Sequence, residues 1–340
     1  MATGTLPPSW WRAGSEWAWQ SVLLRPIGFL WALVVRARLA VAKPQQVSGP
    51  VVCVGNIVLG GAGKTPVVSA LLAHLLSQGK APHVLTRGYG GSLSQKASGA
   101  IRVNPVSHTA AEVGDEPLLL SRIAPVWVHP DRRRSAMAAI ADGADILIMD
   151  DGFQSPGLAK DISIVVFDGA TGVGNGLVFP AGPLRETVDH GLARASAAMI
   201  IGDDATGVAK RLSTLAPNIA VGFCEVVADE QSADALSGRP VVAFAGIGRP
   251  SKFFETLEGM GADIVQRLSY PDHHVYRPTD FARLSELARI NGAVLATTEK
   301  DAVKLPSEFL EQIVVVSITL DVSSGADFEA LLAPLNDINK

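Results

Sequence analysis

The sequence predicts an α/β protein: a doubly wound sheet domain, a smaller C-terminal α/β domain, and an N-terminal amphipathic helical segment ahead of both. Three observations predict it. From Pro50 onward, short β-branched runs alternate with stretches of helical character, the pattern of parallel strands joined by crossover helices. One such run, Val51–Val54, leads directly into a glycine-rich turn and a second apolar segment. Between about Val221 and Arg239 the composition turns acidic and polar before new strand-like runs begin, which marks a linker between units. The boundaries so read are 1–45, 46–225, a linker at 226–237, and 238–340.

Bulk composition sets limits. A chain of 340 residues, 48% of them hydrophobic, can fill two ordinary cores. The net charge of −4 gives no support to a nucleic-acid-binding surface. Cys53 and Cys224 lie far apart in apolar runs, which suits buried thiols in a reducing compartment, and no Cys/His cluster has zinc spacing.

The N-terminus departs from the rest. Trp10, Trp11, Trp17, Trp19 and Trp31, five of the six tryptophans, fall in the first 31 residues, and residues 1–45 carry a net charge of +4. The apolar run Ile27–Val35 is short of the roughly 20 residues a membrane-spanning helix needs. Three readings stand: an interfacial helix with tryptophans at headgroup depth and arginines on anionic lipid, a helix packed on the domain, and a signal peptide ending near Ala40-Val41-Ala42. The first is favoured over the last because Arg36 and Arg38 interrupt the approach to the small-residue site.

Val51 to Pro66 reads VVCVGNIVLGGAGKTP. Gly60, Gly61 and Gly63, with Ala62 between them, permit positive φ, so that backbone N–H groups turn toward an anion. A helix over Pro66–Ser77 adds its N-terminal dipole. Lys64 then serves the β- and γ-phosphates, and the Thr65 hydroxyl ligates Mg²⁺. The full motif wants glycine where Val58 stands, which counts against it, but strand, loop and helix follow in the order the mechanism requires. The domain is therefore expected to be P-loop NTPase-like.

Further strands are expected at His83–Thr86, Val126–His129, Ile146–Met149, Ile162–Phe167 and Ala198–Ile201, and helices at Glu116–Arg122 and Arg133–Asp142. Function belongs at strand C-termini. There Ile146–Met149 delivers Asp150 and Asp151, then Gly152-Phe-Gln154, as a strand carrying a Mg²⁺ carboxylate should. Thr86-Arg87-Gly88-Tyr89-Gly90-Gly91 closes another strand, as a site loop or only a turn. Gly114-Asp115-Glu116-Pro117 opens a helix, with Asp115 functional or only a cap. Ala170 to Glu186 is too rich in Gly and Pro for regular structure and reads as a loop closing on the site. In the second unit, strands are expected at Val241–Ala245, Ala293–Ala296 and Ile313–Val316. Its notable clusters are Gly246-Ile-Gly248-Arg249-Pro250, Pro271-Asp-His-His-Val-Tyr276 and Thr298-Glu-Lys-Asp-Ala-Val-Lys304; the first lacks the third glycine of a dinucleotide fingerprint.

Taken together, VGNIVLGGAGKTP, LTRGYGG, GDEP, DDGFQ, FPAGPLRE, FAGIGRP, PDHHVY and TEKDAVKL, in that order, resemble the tetraacyldisaccharide 4'-kinase family (lipid A 4'-kinase). That family's cradle also lacks the first glycine. The resemblance implies that Lys64 and Thr65 hold the phosphates of ATP and Mg²⁺, and that Asp150, Asp151 and Glu186 belong to the metal environment. It further implies Asp115 as catalytic base assisted by His273, Arg132 and Arg185 near the phosphates, and Tyr89 and Gln154 near the lipid A disaccharide precursor. The expected location is peripheral, on the cytoplasmic face of the inner membrane, held to anionic lipid by residues 1–45. One departure stands out: the family continues DDGFQ with histidine, and this chain has Ser155. The rival reading is a membrane-docking, deviant P-loop ATPase acting as a nucleotide switch or delivery protein, which needs neither the second-domain clusters nor a base at Asp115.

Overall fold

The computed structural model describes residues 8–11, 15–96, 98–325 and 328–334. Its larger sheet contains β1 (Val51–Gly55), β2 (Pro82–Thr86), β3 (Ile101–Arg102), β4 (Val126–Val128), β5 (Ile146–Asp150), β6 (Ile162–Asp168), β7 (Ala197–Ile201), β8 (Ala220–Ala228) and β13 (Ile318–Gly325). Their order is β13-β8-β7-β6-β1-β5-β2-β4-β3. A smaller, all-parallel sheet holds β9 (Pro240–Ala245), β10 (Asp263–Ser269), β11 (Val294–Thr298) and β12 (Ile313–Val316) in the order β10-β9-β11-β12. Among the described strands, antiparallel pairs lie at the rims of the larger sheet, where β3 joins β4 and β13 joins β8.

Both faces of the larger sheet are covered. Along β1, Val52 and Val54 enter one core while Val51 and Cys53 enter the other, the period-two alternation of a strand buried on both sides. The helix Lys64–Ser77 buries Val67, Val68, Leu71, Leu72 and Leu75 against the first of these cores. Because β1 lies between β5 and β6, the strand order reverses around it, and a crevice opens at the strand C-termini.

The region read as a linker is regular structure. Residues 226–228 complete β8, and Glu230–Leu236 is a helix whose N-cap Asp229 accepts a hydrogen bond from Ser232 N at 2.9 Å. β8 turns Gly222 and Cys224 inward and exposes Glu225 and Val227, and the remaining acids of the stretch, Asp229, Glu230 and Asp234, cap and line the helix that follows. The C-terminal boundary also differs from expectation. After β12 the chain returns to the larger sheet as β13, and Phe328, Leu331 and Leu332 enter the core beneath the Lys64–Ser77 helix. The second domain is thus an insertion, entered from β8 and left through β13. Residues 335–340 lie outside the described residues.

Near the N-terminus, the helix Trp19–Ala40 seats Gly28 against the carbonyl of Val178, where an added Cβ would meet Val178 O at 2.7 Å. Trp31 and Trp10 meet the Phe179 ring edge-on. The other face leaves Trp19, Leu23, Phe29, Leu30 and Val34 exposed, with Trp17 just ahead of them. No helix among the described residues is long and apolar enough to cross a membrane. Residues 1–7 and 12–14, including Arg12, lie outside the described residues.

The returning C-terminal segment yields a test of this topology. Phe328→Ala should destabilise the P-loop sheet by about 3–5 kcal/mol, lowering the temperature at which the larger domain unfolds; an unchanged melt would contradict the placement of Phe328 in that core.

Candidate active site

β1 ends at Gly55, and the loop that follows carries Gly60 at φ 94° and Gly63 at φ 79°. Gly63 caps the helix, and an added Cβ would meet Ile201 Cδ1 at 2.4 Å. Val58 is buried in the core and bridges Leu184 antiparallel, so the motif's missing glycine falls on extended backbone that needs none. The helix begins at Lys64 rather than Pro66, which puts Lys64 and Thr65 in its first turn, where N–H groups and the dipole favour an anion.

The cleft around this turn has a volume of about 1500 Å³, and Gly60 to Thr65, Asp150, Asp151, Arg132, Arg185, Gln154, Tyr89 and His273 all line it. Two neighbouring carboxylates there have opposite surroundings. Asp150, the last residue of β5, is buried, and neither of its carboxylate oxygens has a hydrogen-bond partner. Burial, reinforced by the charges of Glu116 and Asp151, pushes its carboxyl up to about 7. Buried polar atoms are seldom left unpaired, and a hard cation such as Mg²⁺ takes oxygen ligands, so Asp150 fits a metal carboxylate. Asp151, at φ 47°, instead receives Arg185 Nη1 at 2.9 Å and faces Lys64 Nζ at 3.8 Å. Burial works to raise its carboxyl, but Lys64 and Arg185 hold it below the usual range.

Glu186 departs from expectation. Its buried carboxylate is taken by Arg194, by His190 Nδ1 at 2.9 Å and by Gln154 Nε2 at 2.9 Å. It does not line the cleft, and among the described residues no three His, Cys, Asp or Glu side chains converge as a metal site. Glu186 braces Gln154, which in turn accepts a hydrogen bond from Arg185 Nη1 at 3.1 Å. Arg132 is buried and donates through Nη2 to the Asp150 carbonyl at 3.2 Å.

The two domains meet at Asp115. This buried carboxylate begins the helix Asp115–Leu120, and His273 Nδ1, from the second domain, lies 2.9 Å from both of its oxygens. His273 holds φ 59°, and the Tyr89 ring lies 5.7 Å from its own. Burial works to raise the Asp115 carboxyl, yet the His273 hydrogen bond and the Lys300 charge carry it down to about 2. The same hydrogen bond raises His273.

Several contributors went unassigned in the sequence. Lys300 joins Glu116 Oε1 at 3.0 Å to Asp272 Oδ1 at 3.3 Å. Arg249 and Lys252 reach across to buried Asp168 at 2.8 and 2.6 Å. Gly248 crowds the cradle, since an added Cβ would lie 3.2 Å from Gly61 N. The clusters holding Lys300 and Arg249 were visible as motifs; only the fold shows what they touch.

Known proteins resemble this chain along nearly its whole length. The family model described as Tetraacyldisaccharide-1-P 4'-kinase (LpxK) matches residues 20–336. The tetraacyldisaccharide 4'-kinase of Rhodospirillum centenum is 47% identical over 330 residues, covering 96% of each chain. Its counterpart in Gluconacetobacter diazotrophicus is 48% identical over 313 residues, covering 92% of this chain and 93% of that one. LpxK from Aquifex aeolicus, solved in complex with ATP, superposes with a TM-score of 0.71 at 24% identity, over 94% of this chain and 99% of that one, and so shares the fold. With nearly its whole length matched in sequence, this chain belongs to the tetraacyldisaccharide-1-P 4'-kinase family.

Proposed function

We propose that this chain transfers the γ-phosphoryl group of ATP to the 4'-hydroxyl of a tetraacyldisaccharide 1-phosphate, the lipid A precursor, working as a peripheral protein on the cytoplasmic face of the inner membrane. The observation that carries the reading is the Asp115–His273 pair, one residue from each domain: buried Asp115 holds His273, and His273 lines the same cleft as Lys64 and Thr65. A P-loop ATPase that only switches has no use for a carboxylate–histidine pair assembled from a second domain.

Phosphoryl transfer asks the protein mainly for positioning and charge neutralisation. The 4'-oxygen forms a bond to the γ-phosphorus as the bond to the β,γ-bridging oxygen breaks. Asp115, ionised at neutral pH, accepts the hydroxyl proton, and His273 shares that charge through its hydrogen bond. Lys64 and the first helical turn offset the negative charge on the phosphates. Thr65 and Asp150 would hold Mg²⁺, which when bound neutralises phosphate charge. Asp151 keeps Lys64 and Arg185 aimed at the cradle. Ser155 and Gln154 line the same cleft.

A multiply acylated acceptor stays in the bilayer, and the exposed apolar face of the Trp19–Ala40 helix, with Arg25, Arg36 and Arg38 on the same segment, suits an interfacial helix over anionic lipid.

Four outcomes are expected. ATP turnover should require a lipid disaccharide acceptor, and Asp115→Ala should lower kcat by about 10²–10⁴-fold with ATP affinity little changed; acceptor-independent turnover would favour the nucleotide switch instead. Because protons compete with Mg²⁺ for a carboxyl raised to about 7, Mg²⁺ affinity measured by calorimetry should weaken as pH falls below that value, and Asp150→Asn should remove the dependence. Deleting residues 1–43 should release the protein from anionic liposomes without loss of nucleotide binding, and undiminished liposome binding would refute the anchor.

A further inference from the structure

Lys300 stands where the two halves of the proposed base meet. Its side chain is mostly buried and comes from the second domain, at the start of the short helix Glu299–Ala302. Its Nζ lies 3.0 Å from Glu116 Oε1, 3.3 Å from Asp272 Oδ1 and 4.0 Å from Asp115 Oδ2. Glu116 follows Asp115 in sequence, and Asp272 precedes His273. One ammonium therefore touches the residue beside each member of the Asp115–His273 pair.

The charge count explains why a cation is needed. Asp115, Glu116 and Asp272 bring three carboxylates to one partly buried place, and the buried carboxyl of Asp150 also feels Glu116; apart from His273 the basic groups facing them are Lys300 and, farther off, Lys304. Uncompensated like charges at such range repel strongly when water is scarce. Without Lys300, Asp272 and His273 would have to approach Asp115 and Glu116 against that repulsion. Lys304 is otherwise engaged, 2.6 Å from Asp301 Oδ1.

The backbone that carries Lys300 is also fixed. Asp301, fully buried, accepts hydrogen bonds from Gly246 N at 2.9 Å, the Tyr276 hydroxyl at 3.0 Å and the Thr298 hydroxyl at 2.8 Å. These partners come from the FAGIGRP, PDHHVY and TEKDAVKL stretches. Lys300 thus leaves a fixed backbone, so the ordering cost of its ion pairs is confined to the rotamers of its own side chain.

We propose that Lys300 is a positioning residue for the phosphoryl-transfer reaction: by pairing with Glu116 and Asp272 it docks the second domain's histidine on the first domain's carboxylate and fixes the charge at which that pair works. The inference rests on the kinase reading and on Asp115 as its base. Lys300 touches no reacting atom in this scheme; it acts through Asp115 and His273.

The test is a pH profile of kcat/KM for the full-length protein with ATP and the lipid disaccharide acceptor. Removing a positive charge makes the Asp115–His273 pair easier to protonate, so the acid limb of the profile moves to higher pH in Lys300→Met and in the more polar Lys300→Gln. At the optimum kcat falls by about 10–100-fold, a part of what a general base contributes, while KM for ATP changes little. Lys300→Arg, which keeps the charge, returns the acid limb to its wild-type position. A uniform loss of rate with an unmoved acid limb in both neutral variants, or wild-type activity in either, would overturn the proposal. If Lys300→Met does not fold, Lys300→Gln and Lys300→Arg carry the same comparison. Asp115→Asn, assayed in parallel, separates the two levels of argument. An inactive Asp115→Asn beside an unaffected Lys300→Gln sinks the role of Lys300 alone, whereas an active Asp115→Asn sinks the base reading and this inference with it.

Discussion

A hydrogen-bonded carboxylate–histidine pair is a short-range object, and here its two members belong to different domains. Asp115 begins a helix of the larger domain, His273 sits in a loop of the smaller one, and 2.9 Å separates Nδ1 from each oxygen. Everything that sets the relative placement of the domains therefore acts on this contact. Gly248 packs against Gly61 with no space for a side chain. Arg249 and Lys252 converge on Asp168 at the end of β6, and Lys300 ties Glu116 to Asp272. In the larger domain these contacts start from the glycine loop after β1, from the end of β6 and from the first turn of the Asp115–Leu120 helix.

The site also separates charges by environment. Asp150 and Asp151 are consecutive, yet one carboxylate has no partner and is pushed up by burial, while the other lies among Lys64 and Arg185 and is held down. Asp115 is a third case, buried but carried down by His273 and Lys300. Carboxyl groups of ordinary intrinsic acidity thereby acquire different tasks, one suited to a cation, one to aligning basic side chains, one to accepting a proton. Glu186 belongs with none of them, because Arg194, His190 and Gln154 take up its oxygens behind the cleft.

How far the sequence could be read follows from where each residue is buried. β1, β2, β5, β6 and β7 are buried along their whole length, and a strand covered on both faces appears as an unbroken apolar run. β8 and β10 are only partly buried: the first runs into the acidic cap and helix at Asp229–Leu236 and so resembles a linker, and the second interleaves polar residues and shows no apolar run. The phosphate cradle was legible because glycine, lysine and threonine are each required locally. The cost of lacking glycine at Val58 was misjudged, since the bridge to Leu184 depends on a segment 126 positions later. Lys300 was visible only as part of a motif: its meaning lies in Glu116, 184 positions away, and no local pattern encodes that distance. The family resemblance supplied the pairing of Asp115 with His273, which spacing alone does not.

The insertion of the second domain between β8 and β13 has a consequence for synthesis. β13 is the antiparallel cover on the open rim of β8, and the core beneath the Lys64–Ser77 helix is completed by Phe328, Leu331 and Leu332. A chain emerging from the ribosome presents β1 to β8 long before those residues exist. During that interval the larger sheet has a free edge and an incomplete core, the condition under which strands pair with the wrong neighbour. The smaller domain, closed within itself by β9 to β12, can fold in the meantime and bring the two ends of its insertion together, so that β13 arrives already beside the strand it must cover.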